Sequence, residues 1–425
     1  MRDAPPAAEP EALGPGTHAA VVPLAAPRDG VPDVVVDARG VADAAEAIAA
    51  GSGPVAIDAE RASGHRYGQR AYLVQLRRAG SGTWLVDPVA CPDLTPIDVA
   101  IGAAEWVVHA ATQDLPCLAE VGLRPRALFD TELGGRLAGL PRVGLGAMVE
   151  HYLGLQLAKE HSAVDWSTRP LPAPWLLYAA LDVEVLLELR DEVAGDLARQ
   201  GKAGWAAEEF ASLLSFTGPG PRVDPWRRTS GMHRLRSRRA LAIVRELWQL
   251  RDGIGAARDV APGRVLPDAA IIELAAAHHR AAAPPRRVAS QDPRLARGIR
   301  RNADAIVEAI ARALALPESE LPPSSLPTVG PPPPRAWADR DPVAAGRLAR
   351  ARELVTAVSS ELAVPVENLL APEAMRRFLW EAPAAPSTEE VAQALQAMGA
   401  RRWQVTLTAP LIALACREHP NAPTP

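Results

Sequence analysis

The chain predicts an α/β fold: a mixed-sheet domain on the N-terminal side, followed by one or two small all-α helical bundles. Three observations lead there. Apolar runs at residues 55–57, 69–76 and 83–86 follow one another closely, with a glycine-rich turn between the last two, as in an antiparallel meander. After them, short strand-like runs alternate with helical stretches, which adds parallel strands to the sheet. Beyond Gly218-Pro219-Gly220-Pro221 only helical periodicity remains. At 425 residues the chain exceeds what one hydrophobic core serves, so more than one domain is expected.

In order, residues 1–32 are rich in Ala, Pro and Gly without sustained periodicity and are expected to be a flexible tail. Residues 33–217 form the α/β domain. Asp33-Val34-Val35-Val36 reads as a first short strand and Val41 to Ala50 as a helix. Val55-Ala56-Ile57 leads a buried strand into Asp58-Ala59-Glu60. Gln69 to Leu76 and Thr83 to Val86 are strands, with Arg77 to Gly82 as their turn. Ile97 to Ala104 is helical, Trp106-Val107-Val108-His109 is a buried strand, and a helix starts near Thr112. Gly134 to Leu153 reads as further helix, and Leu176 to Leu197 as one long helix with Leu177, Leu181, Val185 and Leu189 spaced four apart. Three antiparallel strands extended by strand–helix units are the order of a ribonuclease H-like fold. Residues 226–315 form a helical domain with a loop at Ala261 to Arg264. Residues 316–340 form a Pro-rich linker of polyproline II character, and 341–418 a second helical domain.

Composition excludes several classes. Apolar residues make up 48% and charged residues 23%, as in ordinary globular proteins, and no apolar run is long enough for a membrane span. The N-terminus lacks the pattern of a secretion signal. Cys91, Cys117 and Cys416 are scattered, which argues against disulfides and zinc and fits a reducing cytoplasm. The net charge of −4 hides an asymmetry: Trp226 to Arg312 holds 18 Arg against 8 Asp and Glu. An acidic part joined to a basic part points to a polyanionic partner.

The chemistry centres on Asp58 and Glu60. Side chains two apart on a strand share a face, ~7 Å apart along the backbone, and two carboxylates there repel unless solvated or bridged by a cation. Asp114 opens the helix after the Trp106–His109 strand, either as a helix cap or as a ligand at the sheet edge where α/β folds bind. Tyr178 and Asp182 lie on one helix face, ~6 Å apart along the axis, as a solvated pair or as part of the same site. Together Asp58, Glu60, Asp114 and Asp182 offer the hard oxygen ligands that Mg2+ or Mn2+ prefers, and suggest two-metal phosphodiester hydrolysis. In that arrangement Asp58 bridges two cations, Glu60 and Asp182 complete one site, Asp114 supports the other, and Tyr178 orients the attacking water.

These residues carry a family resemblance. Asp58-x-Glu60, Asp114 within His109-Ala-Ala-Thr-Gln-Asp114, and Tyr178-x-x-x-Asp182 resemble the three motifs of DEDD-family 3′-5′ exonucleases of the tyrosine subclass. The stretch Lys159 to Leu171, with Asp165-Trp166 and Arg169-Pro170, and Phe129-Asp130-Thr131 followed by Met148-Val149, resemble the ribonuclease D family. The resemblance spans roughly residues 33–215. Arg238 to Asp252 and Asp259 to Asp268 resemble the HRDC module, a small helical bundle that often binds nucleic acid, and the last helical unit looks like a degenerate second copy. The implied activity is metal-dependent 3′-5′ exoribonuclease action on tRNA precursors or other small structured RNA, releasing nucleoside 5′-monophosphates, with a monomer as the simplest assembly.

Other residues keep two readings. Arg234, Arg236, Arg238 and Arg239 either grip phosphates or form a solvated face. Trp166 either stacks on a base or fills the core. His109 fits a sheet-edge support better than a metal ligand, and Lys159 and Arg169 approach either the substrate or nearby acids. Ser162, His161 and Asp165 are close in sequence, but no G-x-S-x-G elbow accompanies them. No phosphate-binding loop motif is present. Two rival functions share these features: a DNA exonuclease of repair type, and a non-catalytic RNA-binding protein that has kept the fold.

Overall fold

A computed structural model describes residues 21–157, 163–290, 292–326 and 330–419. Lys159, His161 and Ser162 lie outside them. The first domain contains β1 (Val22–Pro23), β2 (Val34–Val35), α1 (Ala38–Ala50), β3 (Ser52–Arg61), β4 (Ala71–Ala79) and β5 (Gly82–Val86). It continues with α2 (Thr95–Ile101), β6 (Trp106–Val108), α3 (Leu115–Glu120), β7 (Leu128–Asp130), α4 (Thr131–Leu137), α5 (Leu145–Leu153) and β8 (Leu155–Gln156). Three helices close it: α6 (Ala173–Glu184), α7 (Leu186–Arg199) and α8 (Ala203–Leu213).

The six-stranded sheet has the order β2-β5-β4-β3-β6-β7. β3, β4 and β5 form the antiparallel meander, while β6 pairs parallel to β3 and β7 parallel to β6. β3 sits in the middle because Val55, Ala56 and Ile57 are fully buried, so both its neighbours cover apolar side chains. The carboxyl ends of β3, β6 and β7 therefore open on one edge.

The N-terminal segment departs from a flexible tail: described residues 21–32 are held in place. β1 pairs with β8, and Arg28 and Arg77 both form ion pairs with the buried carboxylate of Glu184. A carboxylate desolvated at the end of α6 needs charged partners, and the tail supplies one of them. The expected long helix from Leu176 to Leu197 is two helices meeting at Val185. The break lets α6 lie over β3–β5 while α7 packs on α4, α5, β3 and β6. The stretch 134–153 is likewise divided by a turn in which Gly139 takes φ 88°, next to the Ala363 carbonyl. β7 carries only three residues, too short for its alternation to register in sequence.

The second unit comprises α9 (Arg238–Arg258), α10 (Pro262–Val265), α11 (Asp268–His278), α12 (Pro293–Arg301) and α13 (Ala303–Ala315). The expected loop at 261–264 is the single turn α10, started by Pro262. Its core, with Trp226, Leu247 and Ile310, is separate from that of the first domain. Leu321, assigned to the linker, packs into this core.

The third unit comprises α14 (Trp337–Arg340), α15 (Pro342–Leu362), α16 (Val366–Leu369), α17 (Pro372–Glu381), α18 (Thr388–Ala397) and α19 (Arg402–Glu418). From α15 onward it repeats the order of α9–α13: a 21-residue helix with a left-handed C-cap, a four-residue turn, then three further helices. Unlike the second unit it shares a continuous core with the α/β domain. Trp403 stacks on Trp205 at 4.9 Å between ring centres, and its indole N–H donates to Glu209 Oε1 at 3.0 Å. Lys202 Nζ donates to the carbonyls of Leu137 and Leu362, joining the two units.

Trp403→Ala should therefore destabilise the chain by about 3–5 kcal/mol, the range for a buried aromatic. Denaturant unfolding followed by tryptophan fluorescence reads it. A loss below about 1 kcal/mol would mean that the third unit folds independently of the first domain.

Candidate active site

The exposed edge of the sheet holds a cleft of about 650 Å³, lined by Asp58, Glu60, Asp114, Tyr178 and Asp182 together with Arg61, His109 and the start of α5 at Gly144–Ala147. Every acid anticipated from sequence faces this one space. Asp58 and Glu60 come from β3, Asp114 from the start of α3, and Tyr178 and Asp182 from α6. Carboxylate oxygens of Asp58, Glu60 and Asp182 lie within 4.8 Å of one another.

Asp114 decides between its two readings. It occupies the N-cap position of α3, yet its side chain makes no capping hydrogen bond. The carboxyl group instead shares a hydrogen bond with Asp58. What delivers it there is Asp130 at the end of β7, whose carboxylate accepts from the backbone N–H groups of Ala110 (3.1 Å), Ala111 (2.9 Å), Glu132 (2.9 Å) and Leu133 (3.2 Å). Ala110 takes a left-handed conformation at φ 60°, a strain of about 1–2 kcal/mol for a residue with a Cβ. The bonds from Ala110 and Ala111 tie that turn to Asp130, and those from Glu132 and Leu133 fix Asp130 as the cap of α4.

Burial pushes all four acids above the ordinary carboxylate range, and the neighbouring negative charges push Glu60, Asp114 and Asp182 further. Arg61 is the opposing positive charge, and the Tyr178 hydroxyl, hydrogen-bonded to Asp182, offsets part of the cost there. Burial and the adjacent Asp182 push the Tyr178 hydroxyl up, so it stays protonated and can donate. His109 bonds Thr131 Oγ1 through Nδ1 at 2.9 Å and is pushed down by burial to about 4, which makes it a neutral support at the sheet edge. The Cys117 thiol donates to the Asp114 carbonyl and burial pushes it up to about 12, so it is no soft ligand for the site.

Sequence reasoning missed Arg61, Ser63, Asp130 as a positioning group, and the Gly144–Ala147 wall. Arg61 follows Glu60 and should face away, but the register of β3 and β4 shifts at this point, Glu60 pairing with Leu73 and Arg61 with Ala71. Such a bulge re-aims a side chain. It also missed how the loop at 62–70 is held. Asp259 Oδ1 accepts from the Tyr67 and Gly68 N–H groups, Arg264 donates to the Gly64 carbonyl at 2.7 Å, and the Ala261 N–H donates to the His65 carbonyl. On the other side Arg66 donates to Ser167 Oγ.

Several open readings close. Trp166 is fully buried and packs its ring against Trp175 and Tyr178, so it belongs to the core. Arg169 pairs with Asp87 at 2.6 Å and bonds the Tyr72 carbonyl. Arg238 and Arg239 spend their guanidinium groups on carbonyls between Ala313 and Pro322 and on Glu318, which removes them from a phosphate-gripping surface; Arg234 and Arg236 stay exposed. Among the described residues no helix is long and apolar enough to cross a membrane.

A mixed sheet that brings four carboxylates and a tyrosine to one edge defines the class of a 3′-5′ exonuclease. Residues 32–198 match the family described as 3′-5′ exonuclease, residues 240–283 the HRDC domain, and residues 330–416 the 3′ to 5′ exonuclease C-terminal domain. Ribonuclease D of Jannaschia sp. is 32% identical over 283 residues, covering 63% of this chain and 71% of that protein. Ribonuclease D of Gluconacetobacter diazotrophicus is 32% identical over 280 residues, with 63% and 68% covered. A solved protein from Bifidobacterium adolescentis is similar with a TM-score of 0.81 at 39% identity, covering 93% of this chain and 99% of that one. Escherichia coli RNase D, at 23% identity and a TM-score of 0.63 over 92% of this chain and 99% of its own, shares the fold. The chain belongs to the ribonuclease D family and is a 3′-5′ exoribonuclease.

Carboxylates raised by burial have a definite consequence for stability. The folded state binds more protons than the unfolded state at pH values above about 4, so stability without divalent cations rises as pH falls from 8 towards 5. Asp114→Asn should raise the melting temperature of the chelator-treated protein at pH 8 and flatten this slope, as read by calorimetry. A melting temperature that is independent of pH over this range would contradict the assigned electrostatics.

Proposed function

We propose that Asp58, Glu60, Asp114, Tyr178 and Asp182 are the catalytic residues of this exoribonuclease. On this reading the substrate is the 3′ end of a structured RNA such as a tRNA precursor, shortened one nucleoside 5′-monophosphate at a time. The observation that carries the reading is the convergence of Asp114 on Asp58 at the expense of its cap bond. A half-buried cluster of like charges is costly unless a cation is part of it.

The donor set fits Mg2+ or Mn2+: all four ligands are carboxylates, no thiol faces the space, and His109 Nδ1 is engaged with Thr131. Asp58, Glu60 and Asp182 would hold one ion, and Asp58 with Asp114 a second. Bound divalent cations supply an activated water and a sink for the charge that develops on the phosphate. The protein's own contributions are distinct. The Tyr178 hydroxyl, protonated and anchored on Asp182, orients the attacking water. Arg61 balances negative charge at the rim, and Gly144 and Gly146 at the start of α5 leave room for the terminal nucleotide opposite the acids, with Leu145 as an apolar wall. The helical units hold the body of the RNA while its single-stranded end enters the cleft.

Asp58→Asn should lower kcat on a 3′-tailed RNA by about 10³-fold or more, the scale of several kcal/mol of lost charge stabilisation. A chelator should abolish turnover and added Mg2+ or Mn2+ restore it, with mononucleotide release followed by chromatography. Wild-type turnover by the variant would overturn the catalytic assignment. Tyr178→Phe should lower kcat by about 10²-fold with KM and divalent-cation binding little changed. Unaltered kcat would remove the water-orienting role. Matched DNA and RNA oligonucleotides in the same assay test the sugar preference.

A further inference from the structure

Residues 280–301 are the most basic stretch of the chain, with seven arginines against the single acid Asp292. The structure shows that this charge is free. Arg286, Arg287, Arg294, Arg297, Arg300 and Arg301 are all exposed, and among the described residues none forms an ion pair. That separates them from Arg238, Arg239 and Arg251 of the same unit, whose guanidinium groups are consumed by carbonyls and acids. On α12 the arrangement is one-sided. Arg294, Arg297 and Arg301 are three, four and seven residues apart, hence neighbours ~5–6 Å apart on one face, while Leu295 and Ile299 face the core. Asp292 is occupied in capping the helix through the Arg294 N–H at 2.8 Å.

The position of α12 matters as much as its charge. A Cβ on Gly298 would stand 2.9 Å from the Val265 carbonyl, and Asn302 Nδ2 donates to the same oxygen. Arg264, one residue before, donates to the Gly64 carbonyl, and Ser63 beside it lines the cleft. The arginine helix is therefore fixed, through α10, to the rim of the catalytic cleft.

We propose that the Arg294–Arg297–Arg301 face of α12, flanked by Arg286 and Arg287, grips the phosphate backbone of the RNA segment upstream of the 3′ end held in the cleft. The inference rests on the exoribonuclease reading and adds a dock to it. Guanidinium groups match phosphate with paired hydrogen bonds. No aromatic side chain occurs in residues 280–301, so the face senses charge and has nothing to stack on bases. Recognition here is independent of sequence.

The test uses the full chain with Arg294→Gln, Arg297→Gln and Arg301→Gln combined, all at exposed positions. On an RNA stem with a single-stranded 3′ tail, KM should rise about tenfold or more and kcat stay unchanged. The slope of log KM against log salt should shrink by about 2, near 0.7 per lost contact. A trinucleotide, too short to reach α12, should keep its wild-type KM, and the triple Arg→Lys variant should recover most of the binding. An unchanged KM and salt slope would overturn the proposal, as would equal weakening on the trinucleotide, or tighter binding of anionic vesicles than of RNA. Fluorescence anisotropy of the tailed RNA in chelator reads the same surface without turnover. A failure of the catalytic reading and a failure of the dock thus give different results.

Discussion

The desolvation of four carboxylates at one edge of a sheet is the constraint around which this molecule is arranged. Left alone, Asp58, Glu60, Asp114 and Asp182 would separate or protonate, and burial pushes each of them in that direction. The compensation inside the cleft is small: Arg61 and the Tyr178 hydroxyl. Holding the cluster together falls to its supports. β3 is locked because Val55 to Ile57 are fully buried between two paired strands. The turn that carries Asp114 is bound by Asp130, and the end of α6, two residues beyond Asp182, is fixed by Glu184 between Arg28 and Arg77. Asp58 and Glu60 are thus held by apolar packing, and Asp114 and Asp182 by charged groups that have no place in the cleft itself. Such preorganisation makes a site that gains most from a cation and reorganises least around it.

The two helical units attach to this domain by different physics. The third shares its apolar core, with Trp403 on Trp205 and Lys202 bonded to both sides, so α19 supports the first domain as an internal element would. The second has a core of its own and meets the first domain through polar contacts on one loop. That loop leaves β3 directly after Glu60 and Arg61. Its position at the rim of the cleft is therefore set from outside, by Asp259 and Arg264 on one side and Ser167 on the other. Salt screens exposed charge pairs such as Arg66–Asp259 at this loop, so the hold on the rim weakens as ionic strength rises.

Much of this was legible in the sequence, for identifiable reasons. Asp58 and Glu60 follow an unbroken apolar run, and the two-residue period of a strand puts them on one face whatever the rest does. Tyr178 and Asp182 are related by the helical period in the same way. Local periodicity fails where a feature depends on a partner far along the chain. The break at Val185 separates α6, which lies over β3–β5, from α7, which packs on α4, α5, β3 and β6, although the spacing of Leu177, Leu181, Val185 and Leu189 runs through it unperturbed. The ordering of residues 21–32 depends on Glu184, more than 150 positions away. Arg61 reaches the cleft only because β4 contains one residue more than β3 opposite it. The capping reading of Asp114 was sound in local terms and gave way because Asp130, on a strand too short to announce itself, reshaped the turn before it.

Arginine shows how far the same limit extends. The segment from Trp226 to Arg312 contains no lysine and 18 arginines, and its sequence does not distinguish those that serve the fold from those that face solvent. Helical phase and distance from a helix end make the distinction. Arg238 and Arg239 begin α9 opposite the end of α13, where unpaired carbonyls collect, and a planar fork of donors satisfies several of them at once. Arg251 does the same for the Leu266 carbonyl and Asp268. On α12 the helix buries Leu295 and Ile299, which rotates its arginines to the outside, away from any carbonyl end. One residue type thus closes the helical unit internally and charges it externally. The net charge of the segment overstates what is available to a polyanion, and the available part is concentrated on α12 and the residues just before it, joined to the cleft rim through α10.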